Sequence, residues 1–260
     1  MTIWSAAFAG WLLAAGLMLG LWLWHLRLRN AGIVDVGWAA TLAGMATLYA
    51  MVGSGYGPRR WLIAGMVSVW GLRLAAYLWR DRVRGRPEDG RYAALRQGRR
   101  SASLFFFWFF QAQALLNVLL SSPALVASFN TAMPLQPLEF AAVGLWGIAL
   151  LGESVADRQL ERFKADASNR GRTCRVGLWN YSRHPNYFFE WLIWVAYAMF
   201  GVASPGGVIT LACPAVMLFL LFRVTGIPAT EAQALRTKGD DYRQYQATTS
   251  VFVPWFPRSV

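Results

Sequence analysis

The 260-residue chain is rich in apolar residues, which make up 56% of it, whereas only 15% of its residues are charged. Several apolar runs approach the roughly 20 residues that a helix needs to cross about 30 Å of hydrocarbon. This composition excludes a soluble globular protein and predicts a polytopic membrane protein.

The net charge of +12 does not indicate a nucleic-acid partner. Lys and Arg fall between the apolar runs and form no stripe with interleaved aromatic residues, so we interpret them as topology signals and as contacts for anionic ligands. Cys174 and Cys213 have no CxxC or His/Cys spacing and predict neither a disulfide framework nor a metal site. The apolar N-terminal segment lacks a basic n-region and a cleavage site, so we expect it to remain as the first span.

Seven apolar segments follow one another along the chain and predict an all-α membrane bundle of seven transmembrane helices. The last two segments are short and separated only by GVASPGG, so a tight helical hairpin is the alternative at that point. The segments cover, to within a few residues, 3–26, 33–52, 61–79, 103–128, 138–156, 187–203 and 207–222.

Positive charge between the spans predicts their orientation, because cytoplasmic loops retain Lys and Arg. Residues 80–100 hold eight arginines, 158–183 hold seven Lys and Arg, and the tail from Arg223 onward holds five. Seven spans put all three segments on one side, with the N-terminus outside and the C-terminus cytoplasmic. Since no internal repeat or linker interrupts the chain, we expect a single membrane domain over residues 1–260.

Charged side chains at membrane depth are expected to face the bundle interior, because each costs roughly 2.5–3.5 kcal/mol on insertion. Asp35, in GIVDVGWAA, is either a desolvated acid kept in its protonated, hydrogen-bond-donating form or an interfacial residue near a helix N-terminus. Arg73 lies one turn before Tyr77 on the same helix face. It is expected either to pair with Asp35 or to extend towards the cytoplasmic surface.

Two carboxyl groups, Glu153 and Asp157, are four residues apart and therefore stack on one face at the end of the fifth span. Paired carboxylates can perform acid–base chemistry, although a solvated charged face is the commoner arrangement at a membrane boundary. The depth of Glu153 in the apolar run favours a polar pocket.

The stretch YSRHPNYFFE separates a basic segment from an apolar one. Pro185 predicts that a helix starts there, because proline lacks an N–H and is tolerated in the first turn. Asn186 and Glu190 then project from one face, while Arg183 and His184 lie at the positive N-terminal end, where anions bind. An ordinary helix start with aromatic anchors is the alternative, but the glutamate a turn inside needs a polar ligand or a basic partner.

Three stretches, GLWNYSRHPNYFFEW, ADRQLERFKADASNRGR and DYRQYQATTSVFVPWFP, together resemble the bacterial integral membrane branch of the steroid 5α-reductase family. Many members of that branch are of uncharacterised function. The similarity extends over most of the chain and is strongest from about 145 to 257. The RHPxY element alone also occurs in isoprenylcysteine carboxyl methyltransferases, which use S-adenosylmethionine on a related scaffold.

The resemblance implies a seven-helix reductase that binds NADPH from the cytoplasmic side and reduces a carbon–carbon double bond conjugated to a carbonyl. Asn186 and Glu190 match the family's NYxxE cofactor-contacting pair, and Asp35 occupies the place of its second-helix carboxylate. The other residues expected at the cofactor, from the resemblance or from their charge, are Arg73, Arg86, Asp157, Lys164, Arg172, Arg183, His184, Tyr187, Trp194 and Tyr242. The cofactor site is expected mainly from 80–100, 153–190 and 223–257.

Two departures weigh against a 3-oxo steroid as the substrate. The steroid reductases have a Gln immediately before the second-helix carboxylate, where this chain has Val34, and a third-helix tyrosine that corresponds here to Trp70. The chain also lacks a GxGxxG motif, so no Rossmann cofactor domain is expected. Sterol, polyprenyl, quinone and fatty-acyl compounds all remain open as the hydrophobic substrate.

The sequence therefore predicts a bacterial inner-membrane reductase that uses NADPH on a hydrophobic enone or related lipid. A protonated acid, with Asp35 the first candidate and Tyr77 the second, would polarise the carbonyl while hydride reaches the β-carbon. The first alternative is an S-adenosylmethionine-dependent methyltransferase of a membrane lipid or lipidated substrate. The second is a transporter or lipid-binding protein, against which the lack of inverted repeats counts.

Overall fold

A computed structural model describes residues 1–97, 99, 101–224 and 226–258. Gly98 and Arg100, within the predicted site segment 80–100, and Thr225, within 223–257, lie outside the described residues. In these ranges the chain is helical and contains no strand, and an isolated parallel bridge joins Ser182 to Ser250. The prediction of an all-α protein is confirmed.

The described residues form eleven α-helices, several of which continue into tighter or wider turns. A π-helical turn over Trp79–Val83 continues the helix Gly57–Leu78, and another over Leu220–Val224 continues the helix Ala212–Phe219. Short 3₁₀ turns cover Ala167–Asn169, Gly177–Asn180 and Gly207–Leu211. The helices are α1 (Ile3–Leu28), α2 (Ile33–Val52), α3 (Gly57–Leu78), α4 (Gly90–Arg96), α5 (Ala102–Leu120), α6 (Ser122–Ser128), α7 (Pro137–Ala165), α8 (Pro185–Val202), α9 (Ala212–Phe219), α10 (Ile227–Lys238) and α11 (Asp240–Thr248).

Six of the described helical segments are long and apolar enough to cross a membrane, which indicates an integral membrane protein. The predicted span 187–203 does form α8, but its first turns carry Asn186 and Glu190, and α8 is not among the six. The seventh span and the orientation therefore stay predictions. The six segments are Ile3–Leu28, Ile33–Val52, Gly57–Val83, Ala102–Leu120, Pro137–Ala165 and Gly207–Lys238.

The predicted span 103–128 is confirmed only over α5, because the chain divides after Leu120 and the remainder forms the separate helix α6. The division falls at Ser121, and Pro123 occupies the first turn of α6. Proline has no N–H to give to the preceding turn and its ring clashes with the carbonyl four residues earlier. The apolar pattern alone did not show this break.

By their internal contacts the described residues divide into two compact units. Unit 1 comprises Met1–Phe140 and Tyr197–Thr210, and unit 2 comprises Ala141–Ala196 and Leu211–Val260. The expected single membrane domain stays a prediction.

In unit 1, α2 is the central helix and packs against α1, α3, α5 and α6. Small residues allow this close approach, as is usual between helices in membranes. A Cβ atom added to Gly71 of α3 would lie 2.6 Å from the carbonyl oxygen of Ala39 in α2. On the other side of α2, a Cβ at Gly10 of α1 would overlap the Tyr49 ring. The glycines therefore set the distance at which the helices pack.

A buried ion pair joins the start of α3 to the start of α7 in unit 1. Arg59 and Glu139 are both fully buried, and Nε of the arginine donates to Oε1 of the glutamate over 2.5 Å. The guanidinium also donates to the backbone carbonyls of Asn130, Ala132 and Pro134. The sequence gave no sign that Glu139 would pair with an arginine 80 residues earlier in the chain.

Unit 2 has an apolar core around the end of α9 and the C-terminal segment. Leu221, Ile227 and Phe252 form its buried centre, and the Phe188 ring packs edge-on against Phe252 at 5.6 Å. In α11, the Tyr245 hydroxyl donates to the backbone carbonyls of the loop that precedes α8. The C-terminal helices thereby fix the loop that leads into α8.

We expect Gly71→Ala to destabilise the protein by about 1–3 kcal/mol, because the added methyl group must displace the α2 backbone. Gly65→Ala in the same helix is the matched control, since nothing lies within 4 Å of its Cβ position. The control should be neutral or stabilising by up to about 1 kcal/mol. Unfolding in mixed detergent micelles measures both, and equal stability of the two variants would contradict the close approach.

We expect Glu139→Gln to destabilise the protein by about 3 kcal/mol, because the amide leaves the Arg59 charge buried without a counter-charge. Glu161→Gln, on the exposed end of the same helix, should change stability by less than about 0.5 kcal/mol. Equilibrium unfolding of the two variants under the same conditions gives the difference. A result below about 1 kcal/mol for Glu139→Gln would mean that the pair contributes little.

Candidate functional site

The predicted helix start at Pro185 is confirmed, since α8 begins there. The turn before it is held by Ser182, whose hydroxyl donates to the Phe252 carbonyl over 2.7 Å. The same hydroxyl oxygen accepts from the His184 N–H at 3.1 Å. Ser182 is fully buried, so this turn is a fixed part of unit 2.

Glu231 of α10 is the centre of a polar cluster beside this turn. Its Oε1 atom accepts from Arg183 Nε at 2.7 Å and from Tyr242 Oη at 3.4 Å, and it lies 3.3 Å from His184 Nε2. Its Oε2 atom accepts from Gln246 Nε2 at 2.9 Å. We call these five residues the Glu231 cluster. It ties two C-terminal helices to the first turn of α8.

Burial controls the protonation of two members of the Glu231 cluster. It lowers the pKa of His184 below the usual range, although the hydrogen bond with Glu231 acts in the opposite direction. It raises the pKa of Tyr242, and the negative charge of Glu231 adds to that effect. The phenol therefore stays protonated and remains a hydrogen-bond donor to the carboxylate.

The expected role of Arg183 and His184 as an open anion-binding end needs correction. Glu231 already supplies a negative charge to both, and Arg183 Nη1 donates to the carbonyls of Gln246 and Thr249. Tyr242, another expected cofactor contact, is buried in the same cluster. These three side chains shape the start of α8, and an anion would have to compete with Glu231 for them.

A second polar group lies along the facing surfaces of α7 and α8. Asn186 Nδ2 donates to Asp157 Oδ1 over 3.3 Å, which joins two of the residues expected at the cofactor. Asp157 and Glu153 are only 4% and 2% exposed, so a solvated charged face is the wrong interpretation for them. Glu190 is half-buried one turn beyond Asn186. We call Glu153, Asp157, Asn186 and Glu190 the α7–α8 polar face.

A glycine lets the two helices approach at this face. A Cβ at Gly152 would overlap the ring of Phe189, which lies between Asn186 and Glu190 in the sequence. The local spacing of both helices thus presents two carboxyl groups on one side, and an amide and a carboxyl group on the other. This arrangement can hold a ligand that offers hydrogen-bond donors, such as hydroxyl or amide groups.

The remaining expected residues of unit 2 differ in exposure. Trp194 is buried, whereas Lys164 and Arg172 are exposed at or beyond the end of α7. Tyr187 stacks on the His184 ring, with centroids 5.4 Å apart and planes inclined by 8°. The two exposed cations are accessible to an anionic group in solution.

In unit 1, Asp35 is surrounded by donors from the segment after α3. Its carboxylate accepts from Arg82 Nη1 at 2.7 Å and from Tyr92 Oη at 2.6 Å, and Arg91 Nη2 lies 3.5 Å away. We call these four residues the Asp35 cluster. Because Arg82 and Tyr92 both donate to its oxygens, the carboxyl group acts here as a hydrogen-bond acceptor, and these contacts do not support its expected role as a donor.

The chain around the Asp35 cluster is fixed by a second set of hydrogen bonds. Asn30 Nδ2 donates to the Arg82 carbonyl over 3.1 Å, and the Ala31 N–H donates to Glu88 Oε1 over 2.8 Å. Although burial acts in the opposite direction, the Arg96 guanidinium and the Ala31 N–H hold the pKa of Glu88 below its usual range. Burial and the Asp35 charge raise the pKa of Tyr92 well above its usual value.

The expected pairing of Arg73 with Asp35 is corrected by these contacts, since Arg82 and Arg91 lie within 4 Å of the carboxylate. Arg73 and Tyr77 lie half-buried on α3, one turn apart. Arg86 is exposed in the segment that follows. The sequence could not show which of the loop arginines contacts Asp35, because that depends on the π-helical turn after α3 and on the position of α4.

Comparison with known proteins places the chain in a family. The sequence profile described as "Protein of unknown function (DUF1295)" matches residues 21–249. The chain belongs to this family. The matched range of this DUF1295 protein includes the Asp35 cluster, the α7–α8 polar face and the Glu231 cluster.

One curated relative is the uncharacterized protein C594.04c of Schizosaccharomyces pombe, which is 26% identical over 215 residues. The similarity covers 72% of this DUF1295 protein and 62% of the yeast protein, so the chain spans less than two thirds of that relative. No solved structure matches the chain.

We expect Glu231→Gln to lower the stability of the DUF1295 protein by about 2 kcal/mol, because Arg183 loses its counter-charge in a partly buried site. The side chains of Arg183 and Glu231 are 12% and 16% exposed, so water replaces the lost interaction only in part. Equilibrium unfolding in micelles measures the change, with exposed Glu161→Gln as the control. A loss no larger than that of the control would show that the cluster is not a structural tie.

Proposed function

We propose that this protein is a membrane-embedded, NADPH-dependent reductase of a carbon–carbon double bond conjugated to a carbonyl in a hydrophobic lipid. The proposal includes the seven-helix topology with a cytoplasmic C-terminus and a cofactor site that faces the cytoplasm. It rests on the resemblance of the NYxxE and RHP elements to the steroid 5α-reductase family.

The hydrogen bond between Asn186 and Asp157 carries the proposal. The resemblance assigns both residues to the cofactor although they are 29 positions apart, and the two side chains do meet on the α7–α8 polar face. Glu190 follows Asn186 on the same helix face. A paired amide and carboxylate of this kind can form hydrogen bonds with the hydroxyl groups of a ribose or with a carboxamide group.

The charge around this face supports a phosphate-bearing ligand. Arg158, Arg162, Lys164, Arg170 and Arg172 are all exposed on α7 or in the loop that follows it. One guanidinium group can donate two parallel hydrogen bonds to one phosphate group. Such a segment is therefore suitable for binding a pyrophosphate and a 2′-phosphate. Arg183 and His184, which already contact Glu231, have a supporting role here, since they fix the turn that leads into α8.

In the proposed reaction, NADPH would supply a hydride to the β-carbon of the enone. The negative charge that develops on the carbonyl oxygen requires a hydrogen-bond donor. After the hydride transfer, the resulting enolate takes one proton at its α-carbon, and that proton comes from bulk solvent on the cytoplasmic side. Because Asp35 already accepts from Arg82 and Tyr92, we assign polarisation of the carbonyl to Tyr77, the second candidate from the sequence. The apolar surroundings of the spans exclude water from the reacting atoms.

Thermal unfolding of the detergent-purified protein with NADPH, NADH or S-adenosylmethionine tests the cofactor. A ligand at 100 times its dissociation constant stabilises the folded state by about 2.7 kcal/mol. We expect NADPH to raise the unfolding temperature, and Asn186→Ala, Asp157→Asn and Glu190→Gln each to reduce that shift. Exposed Glu161→Gln is the control that should keep the full shift.

The other outcomes favour other functions. Stabilisation by S-adenosylmethionine alone would exclude the reductase and favour the methyltransferase, to which the RHPxY element also points. Stabilisation by none of the three would favour a transporter or a lipid-binding protein. Full retention of NADPH affinity by all three site variants would place the cofactor elsewhere in the chain.

A further inference from the structure

An apolar groove runs along the surface of unit 1 between α1, α2 and the turn after α3. It encloses about 290 Å³ and is lined by nine residues, of which only Thr41 carries a hydroxyl group. Leu17 and Trp24 of its α1 wall are 44% and 46% exposed, so the groove is open at the surface of the unit. Both walls belong to segments that are long and apolar enough to cross a membrane, so lipid chains can reach an exposed apolar surface of this kind.

The length of the groove limits what can occupy it. Its α2 wall runs from Ile33 to Thr41, which is about 12 Å at 1.5 Å per residue. Half of a hydrocarbon core of about 30 Å is about 15 Å. The groove therefore accommodates a chain from one leaflet, and it is too short for a molecule that spans the bilayer.

Two tryptophans mark the end of the groove that lies at the membrane interface. Trp24 and Trp79 both line it, and their ring centroids are 5.6 Å apart. Tryptophan is enriched at the level of the lipid head groups. Asn30 Nδ2 donates to the Arg82 carbonyl over 3.1 Å, which holds the segment after Trp79 against the turn between α1 and α2.

Several exposed arginines lie close in the sequence to the two tryptophans of this end. While Arg82, Arg91 and Arg96 are committed to carboxylates, a further five arginines close to the two tryptophans in the sequence are exposed. We call these five the arginine fringe. It consists of Arg27, Arg29, Arg80, Arg84 and Arg86.

We propose that the groove binds one acyl chain of an anionic glycerophospholipid, whose phosphate contacts the arginine fringe. An apolar groove that ends at several exposed guanidinium groups is complementary to a hydrocarbon chain attached to a negative head group. The groove extends over one leaflet, which indicates a single acyl chain. The positive charge of the arginine fringe indicates an anionic head group. This site lies wholly within unit 1 and does not depend on the reductase proposal, because that proposal is carried by Asn186 and Asp157 of unit 2. Of the five fringe arginines, Arg86 is also among the residues expected at the cofactor, so the test variants leave it unchanged.

Native mass spectrometry of the purified full-length protein, titrated with phosphatidylglycerol or phosphatidylcholine in micelles, tests the site. We expect one phosphatidylglycerol to be retained at concentrations about tenfold below those needed for phosphatidylcholine. Equal retention of the two lipids would overturn the proposal, since it would show no selection by the fringe.

Ala40→Phe tests the groove by filling it, and we expect about tenfold weaker retention of phosphatidylglycerol. Ala112→Phe, at an exposed position of α5, is the matched control and should retain the lipid. Unchanged retention in Ala40→Phe would overturn the proposal.

The double variant Arg80→Gln/Arg84→Gln tests the fringe without altering the groove. It should abolish the preference for phosphatidylglycerol, whereas Arg158→Gln/Arg162→Gln, which removes the same charge from exposed positions of α7, should keep it. If Ala40→Phe fails to fold, the comparison of these two double variants tests the proposal by itself. Loss of preference only in the fringe variant supports the proposal, and equal behaviour of the two variants overturns it.

Discussion

Pairing of charges away from water is the constraint on which the described structure depends. A carboxylate in or near hydrocarbon is tolerated only with a counter-charge and with donors for its remaining lone pairs. Asp35, Glu139 and Glu231 each meet this requirement with an arginine at 2.5–2.7 Å. Each pair joins segments far apart in the chain, so the same contacts that neutralise charge also fix the helix ends.

The strongly basic composition thus has two separate physical roles. Arg59, Arg82 and Arg183 neutralise carboxylates of the protein itself, and Arg59 and Arg183 also donate to backbone carbonyls. Exposed arginines on α7 and around the α1–α2 turn remain accessible to anionic groups in solution or in the membrane. Net charge alone does not distinguish the two roles, because burial and partner decide which arginine can bind a ligand.

The proposed chemistry follows from the same division. Where carboxylates already accept from arginines, as in the Asp35 and Glu231 clusters, the side chains position the backbone, and the proposed reaction assigns no chemical step to these carboxylates. The α7–α8 polar face has a different composition, since an amide there meets a buried carboxylate. That face is suited to hydroxyl and amide groups of a ligand, and the apolar groove of unit 1 is suited to a hydrocarbon chain.

The sequence by itself determined the helical class, the membrane setting, the start of α8 at Pro185 and the shared face of Asn186 and Glu190. These features depend on composition, on one proline ring and on the 3.6-residue period, all of which are local. Tertiary structure decided which partners meet: Arg82 with Asp35 across 47 residues, and Glu231 with Arg183 across 48. Hydropathy and helical spacing describe each segment alone, whereas a charge pair forms only after turns and short helices have brought two segments together.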